Sequence, residues 1–364
     1  SSDVCSSDLA LPCKESFFEE TRGRYGLERE MLLYNGPFCV YYWEENMVQL
    51  RPNPEYHGVE AVCPRSVTFN VADPLQHFAR LEAGRTDAAV LSYSEWNRLK
   101  RQERYTCEQH EDTVWVLIFN ENLGEETAAG RFLTSSEGRR ALASAVDHRV
   151  FAPDLGNDLV ETTVFLPPSL RLGGESYRKQ AGFTGNSLFD TQAAQDAYRT
   201  AARLCGTPQL TILAPDEEAH SAAATGIQRC WRDTLALNAN LMQLPRAELL
   251  ERVRKGEYQA AVLPLRPDSE EPERMLMSFR SASTGNIAGY SSMEYDALLE
   301  QASSAGSIQG RLQACRRAEK MLYEDAVLVP LYFQTNYYVL APGVEGIRFS
   351  PFAGETLFRG ALKR

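Results

Sequence analysis

The chain has 364 residues, of which 43% are hydrophobic and 10% aromatic, so it can bury a sizeable core and has room for about two domains. Its formal net charge of -11, from 38 Lys and Arg against 49 Asp and Glu, would repel phosphate backbones and argues against a nucleic-acid partner. No apolar run reaches the roughly 18 residues that suggest a transmembrane helix.

The first nine residues, SSDVCSSDL, are small, polar and acidic. A secretory leader would instead begin with a basic segment followed by an apolar one. We interpret residues 1–9 as a non-native segment derived from a sequencing adapter, with a disordered native N-terminus as the alternative. They are left out of the fold prediction.

Cysteine and histidine spacing gives no sign of a metal site. The 8 cysteines include no C-x-x-C pair, and the 5 histidines are scattered, whereas zinc sites space their ligands closely. The sequence therefore predicts scattered thiols and no cofactor. Only Cys205 and Cys230 fall on neighbouring predicted helices, where a disulfide could be geometrically possible. His148 is expected to be a solvated cation at a helix end.

The N-terminal part of the chain alternates short strands with turns. Asn35-Gly36-Pro37 is strong turn chemistry and leads into a predicted β-hairpin. We predict strands at 39–43, 47–50, 67–71 and 88–91, a short helix between 17 and 25, and a helix over 73–83.

The central part of the chain alternates helices and strands. Residues 113–120 form a near-continuous apolar strand, and 135–150 an amphipathic helix. Helices at 190–204, 217–235 and 247–254 then alternate with strands at 209–213 and 240–244. This order predicts a wound α/β lobe. Helices at 293–303 and 309–323 follow, before strands at 325–333 and 337–340.

Residues 255–290 hold the predicted ligand cleft. Residues 258–263 are apolar enough for a strand buried on both faces, and Pro264 is expected to end it because proline has no N–H to donate. The acidic loop 266–272, a short helical segment near 275–279 and a polar loop at 281–286 come next. Loops at the end of a buried strand are where open α/β sheets bind ligands.

Several of these pieces together resemble a known family. YNGPF at 34–38 opens a hairpin ending in Trp43, and NPEY follows at 53–56. The strand at 258–263 precedes Asp268, a Glu-Pro pair at 271–272, TGN at 284–286, GYS at 289–291 and EYD at 294–296. In this order and spacing they resemble the oligopeptide-binding proteins of ABC transporters, within family 5 of the extracellular solute-binding proteins. The resemblance covers nearly the whole chain from about Leu11.

The resemblance implies an α/β, periplasmic-binding-protein-like fold with two α/β lobes joined by a two-strand hinge. Residues 10–120 would form part of the first lobe, 121–326 the second lobe, and 327–364 the return to the first. The hinge strands would be 115–120 and 327–334. Family members carry a leader and further segments before YNGPF, so we expect an N-terminally truncated fragment with an incomplete first lobe.

The resemblance also implies ligand-binding residues. In the family, an acidic residue at the place of Asp268 pairs with the α-ammonium of the peptide; the alternative is a turn-forming Asp. The loop departs from the family pattern, because Leu265 stands where a Trp is common and Arg266 crowds the loop. The polar loop residues Asn286 and Tyr290 could bond the peptide backbone, or serve only as turn and helix-start residues. Four residues of the two hinge strands complete the predicted site: Trp115, Phe119, Asn120 and Tyr332. For Trp115 and Phe119, the alternative is core packing.

The predicted function is peptide binding without catalysis. No G-x-S-x-G, P-loop or H-E-x-x-H motif is present, and the Glu270-Glu271 pair is expected to be solvated. We expect an extracytoplasmic monomer that delivers short peptides to ABC permease subunits. The alternatives are a family 5 protein for another solute (dipeptide, nickel chelate or sugar), a ligand-sensing domain of a regulator, and a hydrolase using Glu270 or Glu271.

Overall fold

The computed structural model describes residues 14–152, 156–182, 189–352 and 356–364, so the predicted adapter segment lies outside the described residues. Contacts divide the chain into two units. We call Glu111–Thr335 with Pro351 and Phe352 the central unit, and the other described residues the N-terminal unit. Both predicted hinge strands, 115–120 and 327–334, lie within the central unit, and their role as a hinge stays a prediction.

The N-terminal unit contains a three-stranded antiparallel sheet of the predicted hairpin and the strand after it. Asp73 caps the second helix through its side chain, which accepts from the Leu75 N–H at 3.0 Å. The elements here are α1 (Glu15–Glu20), β1 (Phe38–Glu44), β2 (Met47–Pro52), β3 (Val67–Asn70), α2 (Pro74–Glu82), β4 (Ala88–Leu91) and α3 (Tyr93–Lys100).

Two long strands, β5 (Thr106–Phe119) and β12 (Leu328–Leu340), contribute residues to both units. β12 continues without a break where the sequence suggested two strands. Its last residues pair with β4, and Tyr332 to Gln334 pair with β6 (Leu159–Glu161). The short strands near the C-terminus pair as β13 (Val344–Glu345) with β16 (Leu362–Lys363), and β14 (Arg348–Phe349) with β15 (Thr356–Leu357).

The sheet of the central unit has the strand order β10-β9-β11-β5-β12, with β9 (Thr211–Pro215), β10 (Asn240–Leu244) and β11 (Ala260–Leu265). β9 and β10 are parallel, whereas β11 runs antiparallel to β5. Alternate residues of β5 enter different cores: Val114, Val116 and Ile118 pack in one, and Trp115, Leu117 and Phe119 in the other. Both faces of this strand are therefore buried, as its continuous apolar run predicts.

Helices cover the sheet of the central unit. They are α4 (Ala128–Thr134), α5 (Ser136–Ser144), α6 (Tyr177–Ala181), α7 (Thr191–Cys205), α8 (Glu218–Leu235), α9 (Arg246–Arg254), α10 (Pro272–Met277), α11 (Met293–Ser304) and α12 (Ile308–Glu324); β7 (Arg171–Leu172) and β8 (Glu175–Ser176) form a small hairpin. The helices predicted from residue 190 onward are present, whereas the one predicted over 135–150 ends at Ser144, and α4 and α6 were not predicted.

Two further local predictions were wrong. Pro264 does not end its strand: β11 continues to Leu265, and Pro264 pairs with Trp115 of β5. The pairing of β11 with β9 extends only to Ala261. Beside Pro264, that edge of β11 has no paired strand, so no backbone N–H is needed there to donate a hydrogen bond. His148 is not a solvated cation, because it is buried in a short 3-10 turn with its Nε2 2.8 Å from the Pro330 carbonyl oxygen.

Candidate functional site

The site begins where β11 ends against the start of the buried part of β5. Leu265 pairs with Val114, and the next residue, Arg266, reaches back to Asp112 with an N–O distance of 2.8 Å. The Asp112 side chain is fully buried and also accepts from the Thr113 hydroxyl at 3.0 Å. Removing one partner of such a pair costs roughly 3–5 kcal/mol, because the other charge stays buried. This pair therefore fixes the direction in which Arg266 leaves the sheet.

A pocket of about 230 Å³ lies beyond this strand end. This volume is below the roughly 300–1,000 Å³ of typical small-molecule sites, so the pocket can hold one group of a larger ligand. Its walls come from the loop after β11, from α10 and from the loop after α10, and include Arg266, Asp268, Arg274, Met275, Met277 and Arg280.

The carboxylate of Asp268 has a cationic partner within this pocket. Its Oδ2 lies 3.2 Å from the guanidinium of Arg274, and the Asp268 side chain is 24% exposed. The glutamates that follow lie outside the pocket lining: Glu270 and Glu271 are both exposed, and Glu271 pairs with Arg311 at 3.3 Å. The two adjacent carboxylates thus form no enclosed pair of the kind that acid–base chemistry uses.

Asn286 closes the polar loop after α10. Its side-chain amide donates to the backbone carbonyls of Arg280 and Tyr290 at 3.3 and 2.7 Å, and its oxygen accepts from the Tyr290 N–H at 3.2 Å. Tyr290 is itself buried, and its hydroxyl donates to Asp325 Oδ2 at 2.6 Å. Both polar side chains therefore hold the loop in shape, and neither is part of the pocket lining.

Beside this loop lies a buried charged cluster built on Glu121 and Arg139, 3.0 Å apart. Burial raises the pKa of Glu121 to about 7; Arg139 opposes this shift and the charge of Asp325 adds to it. Burial likewise lowers the pKa of Arg139. Its guanidinium also donates to the carbonyls of Leu133 and Asp325 at 2.8 and 3.2 Å, so the cluster ties α4 and α5 to the end of α12.

The predicted site residues of the two hinge strands are not part of the pocket lining. Trp115 and Tyr332 are fully buried, and the Trp115 indole N–H donates to Gln334 at 2.9 Å. Phe119 stacks against Trp231 in the core. Asn120 donates to the carbonyls of Gly256 and Tyr258 at 3.0 and 2.9 Å, which fastens the turn before β11.

The structure thus places Asp268 and Arg266 together at the pocket, with Leu265 buried directly behind them. It adds Arg274 of α10 and Arg280 of the loop after α10. The sequence did not single them out, because no local pattern marks the arginines that line a pocket. A signal for Asp112 does exist in the sequence. A carboxylate at the head of a strand buried on both faces requires a cationic or hydrogen-bonding partner.

Within the described ranges, no group of three or more His, Cys, Asp or Glu side chains could hold a metal ion. The six described cysteines carry free thiols, Cys205 and Cys230 among them. In the same residues, none of the helices has the length and apolar character needed to cross a membrane.

The comparisons with known proteins define the class. The sequence model of the bacterial extracellular solute-binding proteins, family 5 (middle part), matches residues 6–286. This match covers more than half of the chain, so the protein belongs to family 5 of the bacterial extracellular solute-binding proteins, and the resemblance is confirmed.

Individual relatives are distant but match along most of this chain. A dipeptide-binding protein of Lactococcus lactis subsp. cremoris is 22% identical over 95% of this chain. The oligopeptide-binding protein OppA of Bacillus subtilis is 20% identical over 96% of it. The chain spans 66% of the length of the first protein and 65% of the second.

Solved structures agree on the fold. The substrate-binding domain of an oligopeptide ABC transporter from Bacillus anthracis matches with a TM-score of 0.78 at 21% identity, covering 97% of this chain and 69% of that one. Listeria monocytogenes OppA bound to peptide matches with a TM-score of 0.77, also at 21% identity and the same coverage. The predicted mixed α/β fold of OppA-like periplasmic binding proteins is confirmed.

Proposed function

We propose that this protein binds short peptides as the substrate-binding component of an ABC importer. It acts outside the cytoplasm as a monomer, passes its ligand to permease subunits and catalyses no reaction. The observation that carries this proposal is the match to relatives named for binding dipeptides, along 95% of the chain, and oligopeptides, along 96% of it. Membership of an extracellular family supports the location.

Asp268 is the residue proposed to receive the α-ammonium of the peptide. It follows β11 in the loop that forms the pocket, and its side chain is partly open to solvent. Arg274 engages Oδ2, whereas an ionised carboxylate offers about four acceptor sites on two oxygens. The same carboxylate can therefore bind a ligand ammonium beside Arg274. Charge-assisted hydrogen bonds of this kind are about twice as strong as neutral ones.

The first experiment identifies the ligand. The 364-residue chain is incubated with a mixed pool of short peptides, a nickel chelate and a sugar, and native mass spectrometry reports what remains bound. Intact peptides are the expected result. Bound sugar or chelate would show that the ligand is another solute, and cleaved peptides would identify an enzyme.

The second experiment tests Asp268 by calorimetry with Ala-Ala-Ala and its N-acetylated form. Losing one partner of an enclosed charge pair costs roughly 2–5 kcal/mol, so Asp268→Asn should weaken the free peptide at least about tenfold. The wild type should bind the acetylated peptide poorly, and the variant should discriminate less. Glu270→Gln is the matched control and should change neither affinity. Equal losses for both peptides would show that Asp268 shapes the loop and does not bind the amine.

A further inference from the structure

The charged groups of the pocket beyond β11 are already paired within the protein. Each of its three guanidinium groups has a carboxylate of its own, and the pairs with their N–O distances are Arg266–Asp112 (2.8 Å), Arg274–Asp268 (3.2 Å) and Arg280–Glu300 (2.7 Å). A charged side chain of a ligand would have to leave water here without a counterion reserved for it, which costs free energy. The pocket therefore favours an uncharged group.

The two serines of the pocket lining bond the local backbone. The Ser278 hydroxyl donates to the Met275 carbonyl, and the Ser283 hydroxyl oxygen accepts from the Gly285 N–H at 3.1 Å. Side chains of this kind stabilise turns through such local hydrogen bonds. Their polar atoms therefore have a structural role in the loop that forms the pocket.

The surface that the pocket offers to a ligand is mainly apolar. The lining residues without a polar side chain are Pro267, Met275, Met277, Ala282 and Gly285. Met275 is 4% exposed, and both methionines pack in or against the core of the central unit. The stems of arginines add apolar surface when their guanidinium groups reach partners elsewhere. Burying an apolar group against such a surface is favourable because it removes that group from water.

The volume of the pocket sets the size of that group. A dry apolar cavity of about 150 Å³ holds a benzene molecule, and this pocket has about 230 Å³. It can therefore hold one Leu, Met or Phe side chain but not a whole peptide. Methionine side chains are flexible and adapt to different apolar shapes, so the lining accepts more than one of these side chains.

The position of Asp268 indicates which residue of the peptide enters. The α-ammonium and the first side chain of a peptide leave the same carbon atom, and Asp268, proposed to receive the ammonium, belongs to the pocket lining. We propose that the pocket binds an apolar side chain of the first residue of the peptide, with Met275 and Met277 as its main contacts. This inference rests on the proposed function and narrows its ligand to peptides that begin with a residue such as Leu, Met or Phe.

The test compares peptides that differ in one side chain. Calorimetry with the full chain uses Leu-Ala-Ala, Asn-Ala-Ala, Phe-Ala-Ala, Ala-Phe-Ala and Ala-Ala-Ala. Leu and Asn side chains have similar shapes, so this pair isolates polarity, and the Leu peptide should bind at least about tenfold more tightly. Phe-Ala-Ala should bind more tightly than both Ala-Phe-Ala and Ala-Ala-Ala by a similar factor. The Leu peptide should also give the more negative heat-capacity change, which marks the burial of apolar surface.

Variants then locate the contacts. Met277→Gln replaces a thioether by an amide of similar length at a partly buried position, and it should reduce the Leu-over-Asn preference at least about threefold. Ala282→Leu adds apolar bulk at an exposed residue of the lining and should weaken Phe-Ala-Ala more than Ala-Ala-Ala. Met293→Gln is the matched control, since Met293 is 91% exposed and lies outside the pocket lining. It should leave the preference unchanged, and urea unfolding checks that all three variants are folded.

Each contrary outcome points to a different failure. Equal binding of the Leu and Asn peptides, or tighter binding of the Asn peptide, would overturn the apolar assignment and leave peptide binding standing. Tighter binding of Ala-Phe-Ala than of Phe-Ala-Ala would overturn the assignment to the first residue. A preference that survives in folded Met277→Gln and Ala282→Leu would exclude this pocket as its source. Absence of binding by all five peptides would overturn the proposed function and this inference with it.

Discussion

The imidazole of His220 stacks on the indole of Trp115, with ring centroids 3.6 Å apart and an interplanar angle of 20°. His220 Nδ1 also lies 2.9 Å from the hydroxyl of Tyr332. Arg246 completes the surroundings with its guanidinium carbon 5.1 Å from the Trp115 ring centre. Burial, with the nearby charge of Arg246 as a second cause, lowers the pKa of His220 to about 3.

This arrangement predicts acid sensitivity between pH 6.5 and about 3. In that window the unfolded chain protonates His220 and the folded chain does not, so the free energy of unfolding falls as the pH is lowered. The effect amounts to about 1.4 kcal/mol per pKa unit of difference. His220→Gln removes the titration and should flatten the loss between pH 6.5 and 4 in urea unfolding followed by tryptophan fluorescence.

His57→Gln is the control, because His57 is exposed in the N-terminal unit. It should leave the shape of the pH profile as in the wild type. A His220→Gln profile parallel to that of the wild type would show that the buried imidazole does not cause the acid sensitivity.

Glu121 predicts the opposite dependence of the free energy of unfolding on pH. Its pKa is about 7 in the folded chain, against an ordinary 4.5, chiefly because it is buried. The folded state therefore holds a proton that the unfolded state releases, and the resulting stabilisation is present below pH 4.5 and lost as the pH rises through 7. Glu121→Gln should lose less stability than the wild type between pH 5 and 8, measured by urea unfolding. The exposed Glu125→Gln should behave like the wild type, and an identical slope in Glu121→Gln would reject the assignment.

Sequence periodicity predicted the elements well and the site only in part. The apolar run of β5 and the alternation of helices and strands from 190 to 265 follow from local pattern, because each element buries its faces independently of side-chain detail. Asp268 was predicted from a motif, but its partner Arg274 lies on the exposed side of a short helix, where no periodicity marks it. The burial of His148 depends on a carbonyl 182 residues away, so no local pattern could predict it.

Glu319 should be essential for stability although it lies outside the pocket. Its carboxylate is 1% exposed and accepts from Arg178 at 2.7 Å, from the Tyr323 hydroxyl at 2.9 Å and from the Tyr177 hydroxyl at 3.3 Å. Glu319→Ala would leave a largely buried guanidinium without its anion, which costs roughly 3–5 kcal/mol. Urea unfolding at pH 7 measures the loss.

Two variants separate the charge from the packing in this cluster. Glu324→Ala removes a carboxylate that is 43% exposed on the same helix, so it should cost no more than about 1 kcal/mol. The apolar pair Arg178→Met with Glu319→Leu should recover part of the loss, because it leaves neither charge buried alone. A Glu319→Ala variant as stable as Glu324→Ala would show that the cluster does not hold α12 in place.

The last prediction concerns Gly289, in the loop that Asn286 closes. Its φ of +71° lies in the left-handed region, and a Cβ at this position would overlap the side chain of Asn122. The backbone term alone costs an L-residue about 1–2 kcal/mol, so Gly289→Ala should destabilise the protein by at least that amount in urea unfolding. Gly306→Ala is the matched control: nothing lies near its added methyl group, and its stability should be unchanged or slightly higher.

Asn122→Ala removes the overlapping side chain but not the strained φ, so the double variant Gly289→Ala with Asn122→Ala should recover only part of the loss. Full recovery would assign the whole cost to the overlap, and no loss in Gly289→Ala would show that the loop adopts another backbone conformation.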